Sequence, residues 1–454
     1  METIITLSDL PRELIEVIAN YGDLEYFLRL RSSSKLLVKV FQKIRFYQPV
    51  RYDQVRKIAA LPKFDYVVLR KPVKRYNKLV RMKPSVLKID FRQYYVKIVK
   101  IPKSITNLSA RNCILYLDPL RNKGLKYLGI HNVGLRGMVT DNLVYLSLDS
   151  ALYPLEKFRG FGKVEYFSID LISHITWERN EKYIEIYYNR FLYMLRRMPK
   201  LIGLDIIFSE CDTRFPPAGQ ILPNKIILPH IPLLKNLCII ARYPLLEIYL
   251  GNITGLDRLS IETNNGLVIH NPPEIGEYVL QFIGTSDKSF YHNSLNIPAK
   301  DVTVVSDVDI VYMTSSLTES MLLIGRALCL ITPNIKKLGI KSNDFIMLRD
   351  PRDIVDLYIS AKEITLNSLG NVKNLNLEAS QTIVFRSSEP VEDTDVAREL
   401  AEKQHMNTDL LESVNLSATE IRANIFGRLK NVKRTYKDNK LVYLEYTKTT
   451  PYSS

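Results

Sequence analysis

Tyr127, Tyr145 and Tyr166 stand 18 and 21 residues apart, each directly ahead of the second apolar residue in a Φ-x-x-Φ-x-Φ run, where Φ is apolar. If those runs are neighbouring strands, the three rings stack at about 5 Å spacing and form a rigid, partly apolar patch with hydroxyls outward. Aromatic patches of this kind are enriched in binding hot spots. Four positions after each tyrosine come His131, Asp149 and Asp170, which add polar and ionisable groups to the same surface. Such a mixed surface suits a protein or peptide ligand. The competing expectation is an aromatic ladder that only stabilises a sheet. Catalysis finds no comparable constellation. The chain has no Gly-rich phosphate loop, no Gly-x-Ser-x-Gly, no His-Glu-x-x-His and no paired cysteines, and its six histidines are scattered. No catalytic residue, metal ligand set or cofactor is expected.

The runs that would position these residues recur through most of the chain. The first six begin at Phe64, Val86, Ile105, Leu125, Leu143 and Val164, at intervals of 22, 19, 20, 18 and 21 residues. Pro62, Pro84, Pro199, Pro232 and Pro333 each precede a run by two residues, ending the returning segment before the strand begins. Side chains alternate along a strand, so the residues between the Φ positions face outward. Further along, Arg258, Glu262, Lys337, Lys341 and Glu378 fall in such slots. Two long intervals contain helical spacing: Ile184, Tyr187, Tyr188, Phe191, Leu195 and Met198 form one apolar face, and Leu317, Met321, Ile324, Ala327 and Leu328 another. Wide gaps after Leu256 and Val372 indicate insertions or missed strands, the second with a helix expected over Val396 to Gln404. The strand-like Leu441 to Tyr446 is expected to cap the array.

The N-terminal run differs. Pro11 suits the first turn of a helix, since its φ is already helical and its missing N–H would be unpaired there, and Glu13 suits the positive helix end. Leu14, Ile15, Ile18 and Tyr21 then recur at helical spacing, and after Gly22 a second set, Phe27, Leu28 and Leu30, leads to Ser34 and Lys35.

These residues resemble an F-box: Leu10-Pro11, Glu13-Leu14, Ile18 to Tyr21, Leu28 to Leu30 and Ser34-Lys35 follow the family's register without a gap. Gly22, Ser33 and Leu37 depart from it. The repeats after it resemble leucine-rich repeats, whose units near 20 residues each give one strand to a parallel sheet. The consensus Asn or Cys is met at Cys113, Asn264 and Asn343 but replaced by Val133, Ala151, Ile172 and Arg242. Together the resemblances imply an α/β chain: an F-box-like helical module over 1–50, a degenerate leucine-rich-repeat solenoid with its parallel sheet on the concave face over 51–420, and a C-terminal cap and tail over 421–454. They also imply a non-catalytic, substrate-recruiting subunit of a ubiquitin ligase. Leu10, Pro11, Leu14, Ile15, Ile18, Leu28 and Leu30 would meet a Skp-type adaptor, and through it a cullin, while some of them also form the module's own core. The concave face, led by Tyr127, Tyr145 and Tyr166, would hold a protein target.

Two other readings stay open, a repeat scaffold with no ligase attached and a nucleic-acid-associated protein. The last rests on charge. Residues 29–103 carry 22 Lys and Arg against three acids, so they hold more than the whole net charge of +15. Arg70, Lys71, Lys74, Arg75, Lys78, Arg81 and Lys83 lie there among Tyr66, Tyr76, Tyr94 and Tyr95, without any helix-turn-helix, zinc-finger or ribonucleoprotein motif. The four separated cysteines, the absence of 18 consecutive apolar residues and a start without basic residues point to an intracellular chain, cytoplasmic or nuclear, without a membrane partner.

Overall fold

The computed structural model describes residues 7, 10–33, 35–55, 63–72, 77–149, 153, 155–171, 181–208, 225–241, 246–263, 267–282, 290–291, 299–306, 310–312, 319–325, 328–331, 335–349, 354–366, 372–385, 412–422, 433–438 and 440–447. The chain divides into two compact units, residues 1–207 and 208–454.

The first unit opens with three helices, α1 (Arg12–Tyr21), α2 (Leu24–Ser32) and α3 (Lys35–Phe41). Pro11 precedes α1, and the Asp23 carboxylate caps α2 by accepting from the Tyr26 N–H. The helices are not a free-standing module. Phe27 of α2 packs against Phe41 at 5.1 Å between ring centres and against Phe46 at 4.7 Å, and Phe46 meets Phe64 edge-on. All four rings are fully buried, so helices and first strands share one core. Hydrogen bonds tie the same junction: Asn20 donates to the Arg45 carbonyl and accepts from the Tyr47 N–H, and Arg12 donates to the Lys43 carbonyl.

Next comes a parallel sheet made of β1 (Tyr66–Leu69), β2 (Val86–Lys100), β3 (Asn107–Leu117), β4 (Tyr127–Gly137), β5 (Tyr145–Leu148), β6 (Tyr166–Asp170) and, after α4 (Glu181–Arg196), β7 (Gly203–Phe208). The Φ residues fill the interior in rows. Leu87, Leu108, Leu128, Leu146, Phe167 and Leu204 form one in-register row, and Ile89, Ala110, Ile130, Leu148, Ile169 and Ile206 the next, all buried. Phe191, Leu195 and Met198, on and just after α4, are buried as their spacing predicts.

The second unit is a parallel solenoid of the same kind, with β8 (Asn236–Ala241), β9 (Leu256–Thr263), β10 (Ile275–Phe282), β11 (Ala299–Ser306), β12 (Ser320–Gly325), β13 (Lys337–Ser342), β14 (Asp356–Leu366), β15 (Asn374–Phe385) and β16 (Ser413–Ser417) paired in that order. It closes with the antiparallel strands β17 (Lys433–Lys437) and β18 (Lys440–Thr447), β18 lying on β16 as expected of a cap.

Several expectations change. The described residues are mostly strand, with few helices, rather than an even α/β mixture. The helix expected from Leu317 to Leu328 is instead β12 followed by the strand Leu328–Ile331, Met321 and Leu323 being buried and Leu322 and Ile324 half-buried. A continuous apolar stretch satisfies both helical and strand periods, and here backbone pairing to β11 and β13 decides. The return path also holds a second set of parallel strands. In the first unit β2, β3 and β4 turn a corner and pair again, Ile98 with Ile114 and Ile114 with Gly134. In the second, Leu328–Ile331 pairs with Phe345–Arg349, which pairs with the far end of β14. The gap after Leu256 contains β10, and the expected Val396 to Gln404 helix lies outside the described residues. Among the described residues no helix is long and apolar enough to cross a membrane.

Candidate functional site

In the first unit the outward rows of the sheet run in register. Asn107, Tyr127, Tyr145, Tyr166 and Gly203 form the first, and Lys88, Ser109, Gly129, Ser147, Ser168 and Asp205 the second. Beyond them Asp90, Arg111 and His131 are in register, followed at the strand ends by Asp149 and Asp170. The middle row is small from Ser109 to Ser168, so it forms the floor of a trough between two taller rows. The resulting groove has a volume of about 420 Å³.

The tyrosine row is a real stack. Tyr127 and Tyr145 lie 4.2 Å apart with planes within 11° of parallel, and Tyr166 continues the register to Gly203. A Cβ at Gly203 would stand 2.7 Å from the Tyr166 ring, so the ring lies over that glycine. Because the rings face one another, they turn edges and hydroxyls toward the groove. Burial first, then the neighbouring Tyr127, pushes the Tyr145 phenol up to about 12.

The outer wall splits by role. Asp149 is 3% exposed and accepts from the Tyr153 hydroxyl at 2.7 Å and from the Asn132 N–H, and Tyr153 in turn accepts from the Val133 N–H at 3.2 Å. These bonds brace the corner where β4 leaves the first sheet. Asn112 and Asn132 make the corners, at φ of 57° and 50°, in the left-handed region that asparagine tolerates better than most residues. The Asn132 amide donates to Asn112, and the Asn112 amide to the Phe91 carbonyl, each at 2.8 Å. Asp149, expected to bind a target, is therefore engaged within the fold, and His131 lies over it at 3.4 Å. The corner asparagines stand one position ahead of the consensus slot, which is why Cys113 and Val133 seemed to break the pattern. Cys113 is buried, and desolvation raises its thiol to about 12, so it is an interior residue and not a reactive one.

Lys88 and Arg111, which the sequence did not single out, are exposed at one end of the groove and have no ion pair among the described residues. Asp90 stands in register with Arg111 without closing a pair. At the other end are Asp170 and Asp205, the latter held above the usual carboxylate range by burial. The Ser/Gly recurrence at 109, 129, 147 and 168, two positions after each Tyr slot, was the available signal for the trough.

The helical residues also divide. Ile15 is 2% exposed and sits inside the unit's own core, so its side chain is not free to meet a partner. Ile18, Leu28 and Leu30 are half-buried, as is Leu10. Pro11 is exposed, and Leu14, Val17 and Tyr21, spaced along one side of α1, are 51, 67 and 89% exposed. Val17 was not anticipated, and Tyr21 had been read only as part of the helical spacing. Of the basic segment, Arg70, Lys71, Arg81 and Lys83 are exposed, while Lys74 and Arg75 lie outside the described residues. In the second unit the outward Arg258 pairs with Glu277 at 3.4 Å, and Tyr358 donates to Glu378 at 3.3 Å.

No family model matches the chain, and no match to a curated protein sequence is found.

Proposed function

We propose that this chain is a non-catalytic recruiting subunit: its N-terminal helices act as an F-box, docking on a Skp-type adaptor and through it a cullin, and its repeats present a protein target to the ligase. The observation that carries this reading is the row of Leu14, Val17 and Tyr21, three large apolar side chains left in solvent on one side of α1. Isolated exposed apolar residues are ordinary on protein surfaces, but a contiguous row beside Pro11 is what a helix-docking partner would cover. Ile15 and Ala19, fully buried on the other side, hold α1 in place so that this row stays presented. The uniform small-floored groove of the first unit is the surface for the target.

The shared phenylalanine core favours a second reading, in which the helices only cap a scaffold. Co-purification with a Skp-type adaptor separates the two. Leu14→Asp/Tyr21→Asp changes exposed side chains alone, so the variant remains folded; the ligase reading expects adaptor capture by the intact chain and its loss in the variant. A folded intact chain that never captures the adaptor leaves the scaffold.

A further inference from the structure

The geometry points to the occupant of the first unit's groove: an extended peptide segment lying across the strands, with an acidic side chain at the Lys88 and Arg111 end and a basic one at the Asp170 and Asp205 end. This deepens the target-binding reading above and rests on it only for the idea that the groove holds a protein.

Three observations carry it. The floor of Ser109, Gly129, Ser147 and Ser168 runs perpendicular to the strands, and its small side chains leave room for a backbone. The wall beside it offers tyrosine edges and hydroxyls, which suit peptide amides; ring faces that would stack on a sugar or a base are covered by the next ring. Charge then runs in one direction along the groove. Lys88 and Arg111 outweigh Asp90 at the β2 and β3 end, and carboxylates alone stand at the β6 and β7 end. A uniformly anionic chain such as a nucleic acid would meet repulsion at that second end.

The lengths set the spacing of the motif. From β2 to β6 is four strand intervals of about 4.8 Å, roughly 19 Å, and an extended peptide advances about 3.3 Å per residue. That is about six residues, an even number, so both charged side chains of the peptide point to the same face.

Fluorescence anisotropy on the full chain tests this with labelled Ser/Thr-rich peptides of about nine residues. One carries glutamate and lysine about six residues apart, a second the same pair in reverse order, a third two glutamates and a fourth two lysines. One or both of the mixed peptides should bind about tenfold tighter than either uniform peptide, as charge-assisted hydrogen bonds at both ends require. In Lys88→Glu/Arg111→Glu the preference should pass to the two-lysine peptide. Asp205→Asn, nearly isosteric, should lower the mixed peptide's affinity and leave the two-glutamate peptide unchanged or tighter, and it covers the case in which the double reversal does not fold. Equal binding of all four peptides, or preferences that neither variant moves, overturns the inference. A chain that captures the adaptor yet ignores every peptide loses this inference alone, and one that prefers mixed peptides but never captures the adaptor loses the ligase reading alone.

Discussion

The two units are built on the same inward rows and differ in their outward ones. Leu108, Leu128 and Leu146 in the first correspond to Leu338, Leu357 and Leu375 in the second, all buried. Outward, the first unit sets Tyr127, Tyr145 and Tyr166 in a row, where the second has Lys337, Asp356, Asn374 and Ser413. The second unit's row satisfies itself: the Asn374 amide donates to Asp356 and accepts from the Ser413 hydroxyl, both at 2.7 Å. The first unit's polar groups close few such bonds along the groove, and Lys88 and Arg111 are left with unused charge. Interior rows determine that the chain winds into a solenoid; the outward rows determine whether a turn of it stabilises its neighbour or waits for a ligand.

The largest expected effect tests the sameness of the interiors. Leu128→Ala and Leu338→Ala each remove a buried leucine from an equivalent row, and each should cost about 2–5 kcal/mol. Denaturant unfolding with hydrogen exchange on strands of each unit measures this. A cost in one unit that is several times smaller than in the other would break the equivalence.

Corners should separate the units more finely. Asp149→Ala leaves the Asn132 N–H and the Tyr153 hydroxyl without their acceptor, and an unmet buried donor costs about 1–3 kcal/mol. Glu378→Ala, in the second unit, removes only an exposed partner of Tyr358 and should fall within about 0.5 kcal/mol of neutral. Melting curves of the two variants give the contrast, and equal losses would mean that the Asp149 corner is no brace.

What the sequence revealed follows from this division. Inward positions repeat in type, so the Φ runs announced the strands, their order and the tyrosine row. Two kinds of feature stayed hidden. Strands on the return path, such as Leu328–Ile331, are short apolar stretches whose period fits helix or strand equally until a neighbour pairs with them. Residue roles set by a single contact were hidden as well: Asp149 and His131 look alike as outward polar residues, and only the Tyr153 hydroxyl arriving at 2.7 Å marks Asp149 as structural. On α1, spacing identified an amphipathic helix but not that Ile15 faces the phenylalanine core and Leu14 the solvent.

The smallest effect concerns pH, and the units should respond at opposite ends of the scale. Tyr145 in the first unit titrates at about 12 in the fold against 10.0 ordinarily, because burial and then Tyr127 disfavour the phenolate. A raised folded value means that the protonated form is preferred by the native state, so this contribution is complete below pH 10 and is lost as pH rises from 10 toward 12. In the second unit the Arg422 and Lys440 hydrogen bonds hold the Glu420 carboxyl down at about 2 against 4.5 ordinarily. That contribution is present above pH 4.5 and disappears as pH falls toward 2, and full exposure with salt screening keeps it small. Asp205 works the other way, since burial disfavours its charged form and acid relieves that cost in the first unit. Phenolate absorbance of wild type against Tyr145→Phe, and hydrogen exchange of β18 in acid for wild type against Glu420→Gln, read the two ends separately. Acid should loosen β18 first and alkali the tyrosine row first; a tyrosine row that titrates near pH 10 would show that its stacking does not exclude water and would remove the rigidity assigned to the groove wall.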